Sequence, residues 1–264
     1  MTIMTIISAA AVGLAAGLHG ALYGAYKDSP HESFLFRRFV REIATALTVS
    51  LALALFYPAA RSQSAFVLYL SVFALTRIVT EFWKLFVRVE PQEEFRIPTQ
   101  IHCVTGVVHN PLLRLMLGFG FLASIYGIGA LGTIIPDSWP RGLHGLIVGL
   151  SIGIAEAIAG GYKDGTIEGF SWRKFAKSPS FGALGGIIAS GHTTDDAFLL
   201  LAAIGSMRMF LELLFKMVVR DYAPGKFRSM TGPFTEWTAW RHHFLTPYAM
   251  TWLLYVALSS NSNW

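Results

Sequence analysis

Two arginine–glutamate pairs lie inside otherwise apolar segments of the sequence. Arg77 precedes Glu81 in "TRIVTEFWKLFVR", and Arg208 precedes Glu212 in "SMRMFLELLFKMVVR", each by four residues. An ionised side chain at the centre of a bilayer costs about 2.5–3.5 kcal/mol, so such residues face a bundle interior or water. Four residues apart on a helix, each pair can neutralise itself on one helix face. The arginines could bind an anion and the glutamates could exchange protons, or the pairs could only bridge helices.

Further charged residues occur within or next to apolar segments. Glu156 adds a carboxylate to another apolar segment, at a level where His19 occurs in the first one. Lys27 with Asp28, and Lys163 with Asp164, belong to a Tyr-Lys-Asp sequence that occurs twice. These pairs could bind an anionic head group or substrate, or could pair with the arginines.

The Tyr-Lys-Asp sequence is part of an internal repeat. Residues 24–39 read "GAYKDSPHESFLFRRF" and residues 160–175 read "GGYKDGTIEGFSWRKF", with eight of sixteen positions identical. Chance gives roughly one match at ordinary residue frequencies, so this similarity indicates a duplication. The arginine–glutamate segments follow the same order in both halves. We therefore predict two copies of one unit, residues 1–135 and 136–264.

Composition places the chain in a membrane. Of its 264 residues, 53% are hydrophobic and 14% are charged, and the mean hydropathy is +0.50. Soluble domains average about 25% charged residues. Apolar runs of nearly the length that a bilayer requires predict an all-α protein with eight spans, at about 4–25, 39–58, 65–87, 112–133, 142–162, 179–193, 196–219 and 244–259. The sixth is short and rich in glycine and alanine, which favours a tilted, buried or re-entrant segment.

Loop charges predict the orientation of the spans. Basic residues collect in alternate loops, whereas the opposite loops carry little more than Arg61 and Arg141. Because basic loops remain in the cytoplasm, we expect both termini on the outer side of a bacterial inner membrane. Four spans in each copy give both copies one orientation, so their pseudo-twofold axis would run along the membrane normal.

The segment after each Tyr-Lys-Asp predicts a short interfacial helix. Ser29 and Gly165 occupy the cap positions, and Glu32 and Glu168 the third helical position. Aromatic and basic residues then alternate through residues 34–39 and 170–175. This pattern is typical of a helix lying at the membrane surface, in contact with anionic head groups.

Other chemistry has weaker signals. The single cysteine, Cys103, excludes an internal disulfide and a cysteine-based metal site. His144, His192, Asp195 and Asp196 match no metal-ligand spacing and are interpreted as solvated loop ends. Gly13–Gly17 and Gly20–Gly24 have the spacing of close helix packing. The sequence has no P-loop, nucleophile elbow or HExxH motif, and it identifies no cofactor.

Three functions remain open from the sequence. A transporter or channel for a small anion or a phosphate-bearing lipid would use the buried charges as a polar site between the copies. A structural subunit of a larger membrane complex would use them to organise the fold. A membrane enzyme acting on lipid phosphates is the third, disfavoured because each copy offers few clustered carboxylates. The expected partners are anionic lipids, further copies or other subunits, and not nucleic acid.

Overall fold

A computed structural model of the chain describes residues 3–28, 34–92, 98–103, 106–211 and 241–260. Within these ranges the side chains of residues 27, 28, 103, 164, 166–168 and 241 are excluded from the description. The α-helices of the described residues are α1 (Ile3–Asp28), α2 (Phe36–Phe56), α3 (Ala65–Phe82), α4 (Pro111–Ala130), α5 (Arg141–Glu168), α6 (Trp172–Ser190), α7 (Asp196–Arg208) and α8 (Leu245–Ser260).

Shorter elements connect these helices. Trp83–Val87 continues α3 as a π-helical turn, and 3₁₀ turns occur at Pro58–Ser62, Gly132–Ile134 and Arg241–Phe244. His102–Cys103 pairs antiparallel with Gly106–Val107, with His102 opposite Val107. Apart from this short ladder, the described residues form no sheet, which confirms the all-α prediction.

Polar caps fix the starts of three helices. Ser64 Oγ accepts a hydrogen bond from the Val67 amide at 3.3 Å at the start of α3. Asn110 caps α4 in the same way, and Pro111 follows at the first helical position, where a missing N–H costs nothing. Asp195 accepts from the amides of Ala197 and Phe198 at the start of α7. Each cap satisfies amides that the helix itself leaves unpaired.

The core lies between α3 and α7, which pack directly against each other. Residues 66–74 of α3 and 198–207 of α7 are almost all buried, as expected for helices that are apolar all round. Gly205 permits the contact, since a Cβ there would overlap the backbone carbonyl of Leu70. The pair α1–α2 packs on one side of this core and the pair α5–α6 on the other, while α4 contacts α5 and α7 and α8 contacts α1 and α3.

Among the residues that the structure describes, five helices are long and apolar enough to cross a membrane: Ile3–Tyr26, Phe36–Phe56, Ala65–Val87, Pro111–Ile134 and Arg141–Lys163. The chain is therefore consistent with an integral membrane protein. The last three predicted spans overlap α6, α7 and α8. Those helices have 19, 13 and 16 described residues.

The predicted short interfacial helices are wrong. α2 begins at Phe36 and runs unbroken to Phe56, since no glycine or proline interrupts it. α6 runs from Trp172 through Pro179 to Ser190. Gly165 is also not a cap, because α5 continues to Glu168 and ends at Gly169, whose φ of 76° suits glycine. The predicted cap at Ser29 and Glu32 lies outside the described residues.

Candidate functional site

Arg77 forms an ion pair between helices. Its Nη2 lies 3.1 Å from Glu42 Oε1, which joins α3 to α2. The side chains are 19% and 14% exposed, so both are largely removed from solvent. The predicted salt bridge within α3 is wrong, because Glu81 instead pairs with Lys84 at 2.7 Å, one turn further along the same helix. The guanidinium of Arg77 also lies 5.4 Å from the centre of the Phe73 ring.

Gly20 of α1 lies directly against this ion pair. A Cβ at Gly20 would lie 2.7 Å from Arg77 Nη2 and 2.9 Å from Glu42 Oε1. Both distances are too short for a real carbon contact, so the absence of a side chain at Gly20 makes room for the pair. The expected packing role of Gly20 is therefore real, whereas a Cβ at Gly24 would meet nothing within 4 Å.

Arg208 forms the second interhelical ion pair. Its Nη2 lies 2.7 Å from Glu156 Oε2, which joins α7 to α5, and the side chains are 20% and 29% exposed. Its predicted partner, Glu212, lies outside the described residues. The helix also changes to π-helical geometry at residues 209–211, directly after the arginine, and such turns occur frequently at functional sites.

The two ion pairs take their carboxylates from different helices. At the 136-residue offset, Glu156 occupies the place of Gly20, and Ser178 occupies the place of Glu42. One arginine is therefore neutralised from α2 and the other from α5. Sequence reasoning missed Glu42, although it is the only acidic residue of α2. A lone carboxylate in an apolar helix was the signal that could have found it.

Glu81 interacts with the arginine of the second ion pair, Arg208. Besides its contact with Lys84, it interacts electrostatically with Arg208 and Lys163. The structure thus brings together five charged side chains from α3, its π-helical extension, α5 and α7, which we name the charge cluster: Glu81, Lys84, Glu156, Lys163 and Arg208. Three are basic and two acidic, so the charge cluster carries a formal charge of +1 when all are ionised.

The Tyr-Lys-Asp sequences lie in helices and not in loops. Lys27 and Asp28 end α1, and Lys163 and Asp164 lie in the last turns of α5. The side chains of Lys27, Asp28 and Asp164 are outside the description, so only Lys163 can be placed in the charge cluster. The tyrosine of the second sequence, Tyr162, stacks on His102 with the ring centres 5.8 Å apart.

His144 is buried, so its interpretation as a solvated loop end is wrong. It is 1% exposed, and Nε2 contacts the Pro136 carbonyl at 3.0 Å while Nδ1 contacts Arg141 at 3.2 Å. Arg141 in turn lies 3.7 Å from Asp196. These contacts tie the start of α5 to the start of α7. In the part of the chain that the structure describes, no three histidine, cysteine, aspartate or glutamate residues are grouped as metal ligands.

The charge cluster can bind an anion through its three basic groups or hold helices together through its ion pairs. Lys84 and Glu81 are 19% and 31% exposed, so these two side chains of the charge cluster are not fully enclosed. The first ion pair has a lower exposed fraction than the second. In comparisons with known proteins, the chain matches no family model, no curated protein and no solved structure.

Proposed function

We propose that the chain consists of two four-helix repeats, residues 1–135 and 136–264, in the same membrane orientation. The contacts between helices support this proposal. A Cβ at Gly13 would meet Ala46 and Ser50, and one at Gly149 would meet the equivalent positions Gly182 and Gly186. The register of α1 on α2 is therefore the register of α5 on α6.

The eight-span arrangement follows from this duplication. With basic loops in the cytoplasm, both termini lie on the outer side of a bacterial inner membrane. Anionic lipid head groups would then contact the basic loops, and the exposed apolar face of α4, with Leu112, Met116, Phe119 and Tyr126, would contact lipid chains or another subunit.

Cysteine labelling tests this topology. On a Cys103→Ser background, Ser62→Cys and Ser138→Cys should react with an impermeant maleimide added outside, whereas Lys174→Cys should react only after the membrane is opened. All three positions are exposed, so a lack of reaction reports the side of the membrane. Labelling of Lys174→Cys from outside in intact cells would contradict the orientation.

The function that the geometry supports best is transport or channelling of a small anion or a phosphate-bearing lipid. The charge cluster carries this proposal. Its five charged side chains lie between the central helices of the two repeats, where buried charge is costly unless it has a role. A purely structural ion pair would need only Arg208 and Glu156, not the two additional lysines and Glu81.

A mechanism follows from competition for the basic groups of the charge cluster. An entering anion would compete with Glu156 and Glu81 for Arg208 and Lys84. A carboxylate displaced from its basic partner loses the interaction that favours its ionised form, so it binds a proton more readily. Anion binding would therefore be coupled to proton uptake at a glutamate.

Uptake in liposomes tests the transport proposal. The paired replacement of Arg208 and Glu156 by leucine removes a matched positive and negative charge, so the protein should fold. Wild-type protein should take up labelled chloride, phosphate or a short-chain phosphatidic acid, and the double variant should lose at least about 90% of that flux. The matched control is the same replacement at Arg141 and Asp196, an ion pair outside the charge cluster, which should leave most of the flux intact.

Two results would contradict transport. One is full uptake by a folded double variant at Arg208 and Glu156, and the other is no uptake of any of the three anions by the wild type. The structural-subunit function would then take its place. It is favoured by one observation, that each arginine is already neutralised by a carboxylate from a neighbouring helix.

A further inference from the structure

A histidine lies completely buried in the first half of the chain, next to the Arg77–Glu42 ion pair. His19 is 0% exposed, and its Nδ1 lies 2.7 Å from the hydroxyl of Tyr69, which is also 0% exposed. Rings of Phe73, Tyr248 and Trp252 surround it at centre-to-centre distances of 5.4, 5.3 and 5.6 Å. Arg77 is near enough to interact with it electrostatically. His19 therefore joins the ion pair to an aromatic core.

Polar groups continue from Tyr69 into the interior. Tyr69 interacts electrostatically with Tyr248 and Tyr255 of α8. Tyr255 in turn faces Ser206 of α7, although the two hydroxyls fall short of hydrogen-bond geometry. Arg77 and Tyr69 are eight residues apart on α3, which corresponds to about 12 Å along the helix. A line of polar groups thus crosses a substantial part of the bundle.

Several atoms of this line are not satisfied by the protein. Within the described residues, His19 Nε2, the Tyr255 hydroxyl and Ser206 Oγ are buried and have no hydrogen-bond partner in good geometry. Such an atom destabilises the folded protein if it stays dry. Buried water that bridges two to four polar groups removes that cost. The arrangement favours water molecules between His19, Tyr69 and Ser206.

The second half of the chain supplies an internal comparison. At the 136-residue offset, His19 corresponds to Ala155. When Arg77 is aligned with Arg208, Tyr69 corresponds to Leu200. α5 and α7 form the same helix contacts with these apolar residues in place. The fold therefore does not require a buried histidine and tyrosine here, and these two residues need another explanation.

We propose that His19 and Tyr69, with Tyr255 and Ser206, form a hydrated proton pathway that starts at the Arg77–Glu42 ion pair. A neutral imidazole accepts a proton on one nitrogen and releases the hydrogen of the other. The released proton passes to the Tyr69 oxygen, and Tyr69 gives its own hydroxyl proton to the next water or hydroxyl. No net bond is made or broken, and reorientation of the ring and the hydroxyls restores the initial state.

Phe66 closes the far end of this pathway. It is 1% exposed, and its ring centre lies 5.2 Å from that of Tyr255 and 4.6 Å from that of His192. An apolar ring between the last tyrosine and the opposite face of the bundle would interrupt a chain of water. In this proposal the pathway runs from the ion pair to Tyr255, and movement of Phe66 would connect it to His192.

Proton flux into proteoliposomes tests the proposal. Vesicles in potassium gluconate, loaded with a pH-sensitive dye, receive a valinomycin-induced potential, so that no permeant anion is present and the result is independent of the transport test. Wild-type protein should acidify the vesicles clearly faster than protein-free vesicles do. Tyr69→Phe, which removes only the hydroxyl, should reduce this flux about a hundredfold.

Two further variants separate proton transfer from folding. The pair His19→Ala with Tyr69→Leu copies the residues of the second half, so it should fold and conduct no protons. Tyr126→Phe, on a tyrosine that is 80% exposed, should conduct as the wild type does. Wild-type flux equal to that of empty vesicles, or full flux in folded Tyr69→Phe protein, would overturn the pathway.

Discussion

Replacing Gly186 by leucine is expected to prevent α5 and α6 from packing, so that no folded protein is recovered. A Cβ at Gly186 would overlap the carbonyl oxygen of Gly145, and one at Gly182 would overlap that of Gly149. Both atoms belong to backbone, which cannot rotate away as a side chain can. Overpacking costs 1–3 kcal/mol where side chains can adjust, and here whole helices must separate, so we expect at least about 3 kcal/mol.

The measurement is the yield and the thermal unfolding temperature of purified protein in detergent. Gly186→Ala should already lower that temperature by several degrees, since each kcal/mol corresponds to about 2–4 °C in a chain of this size. Gly160→Ala is the matched control on the same helix pair, because a Cβ there would meet nothing within 4 Å. Normal stability of Gly186→Leu would mean that α5 and α6 are further apart than described.

Removing either glutamate of the interhelical ion pairs is expected to destabilise the protein strongly. Glu42→Gln leaves Arg77 without its carboxylate, and Glu156→Gln does the same to Arg208. Loss of one partner of a buried ion pair costs about 3–5 kcal/mol, because the remaining charge stays buried and unpaired. Thermal unfolding should show this loss for both variants, with the smaller effect for Glu156→Gln, because Arg208 also interacts with Glu81.

A variant that moves the carboxylate from α2 to α1 provides the control for these stability measurements. Glu42→Ser combined with Gly20→Glu gives the first half the residue types that the second half has at Ser178 and Glu156. Removing the Glu42 side chain frees part of the space that a Cβ at Gly20 needs, and the flexible Arg77 guanidinium, which is the other close group, can shift toward the new carboxylate. Stability should then recover most of the loss caused by Glu42→Ser alone. If the transfer variant is no more stable than Glu42→Ser, the two positions do not present a carboxylate to the same place.

Much of the helical architecture was predictable, because it depends on local composition. Each predicted span overlaps a helix, since a long apolar run favours a helix whatever lies next to it. The interfacial helix of the second half failed because the cap signal at Gly165 is a weak local preference. In α5 the helix continues past Gly165, whose cost of about 1 kcal/mol in a helix is smaller than the gain from packing. The spacing of Gly13 and Gly17 also predicted close contact, and both positions lie against α2.

The pairing of the charges was not predictable in the same way. Arg77 and Glu81 are four residues apart, which permits a bridge within one helix, yet Arg77 pairs with Glu42 and Glu81 lies with Lys84 and Arg208. Which of several carboxylates an arginine meets depends on how helices pack, and helices far apart in sequence supply the partners. Glu42 and His19 therefore acquire their importance only from their neighbours.

The sequence by itself determined that the chain is helical, apolar enough for a membrane, and internally similar over residues 24–39 and 160–175. These properties follow from residue type and order, which act over one or two helical turns. Only the tertiary structure decided that one carboxylate comes from α2 and the other from α5, and that Glu81 joins the charge cluster. The physical reason is that buried charges must be compensated within a few ångströms, and the chain brings those partners together only when α3 and α7 pack against the flanking helix pairs.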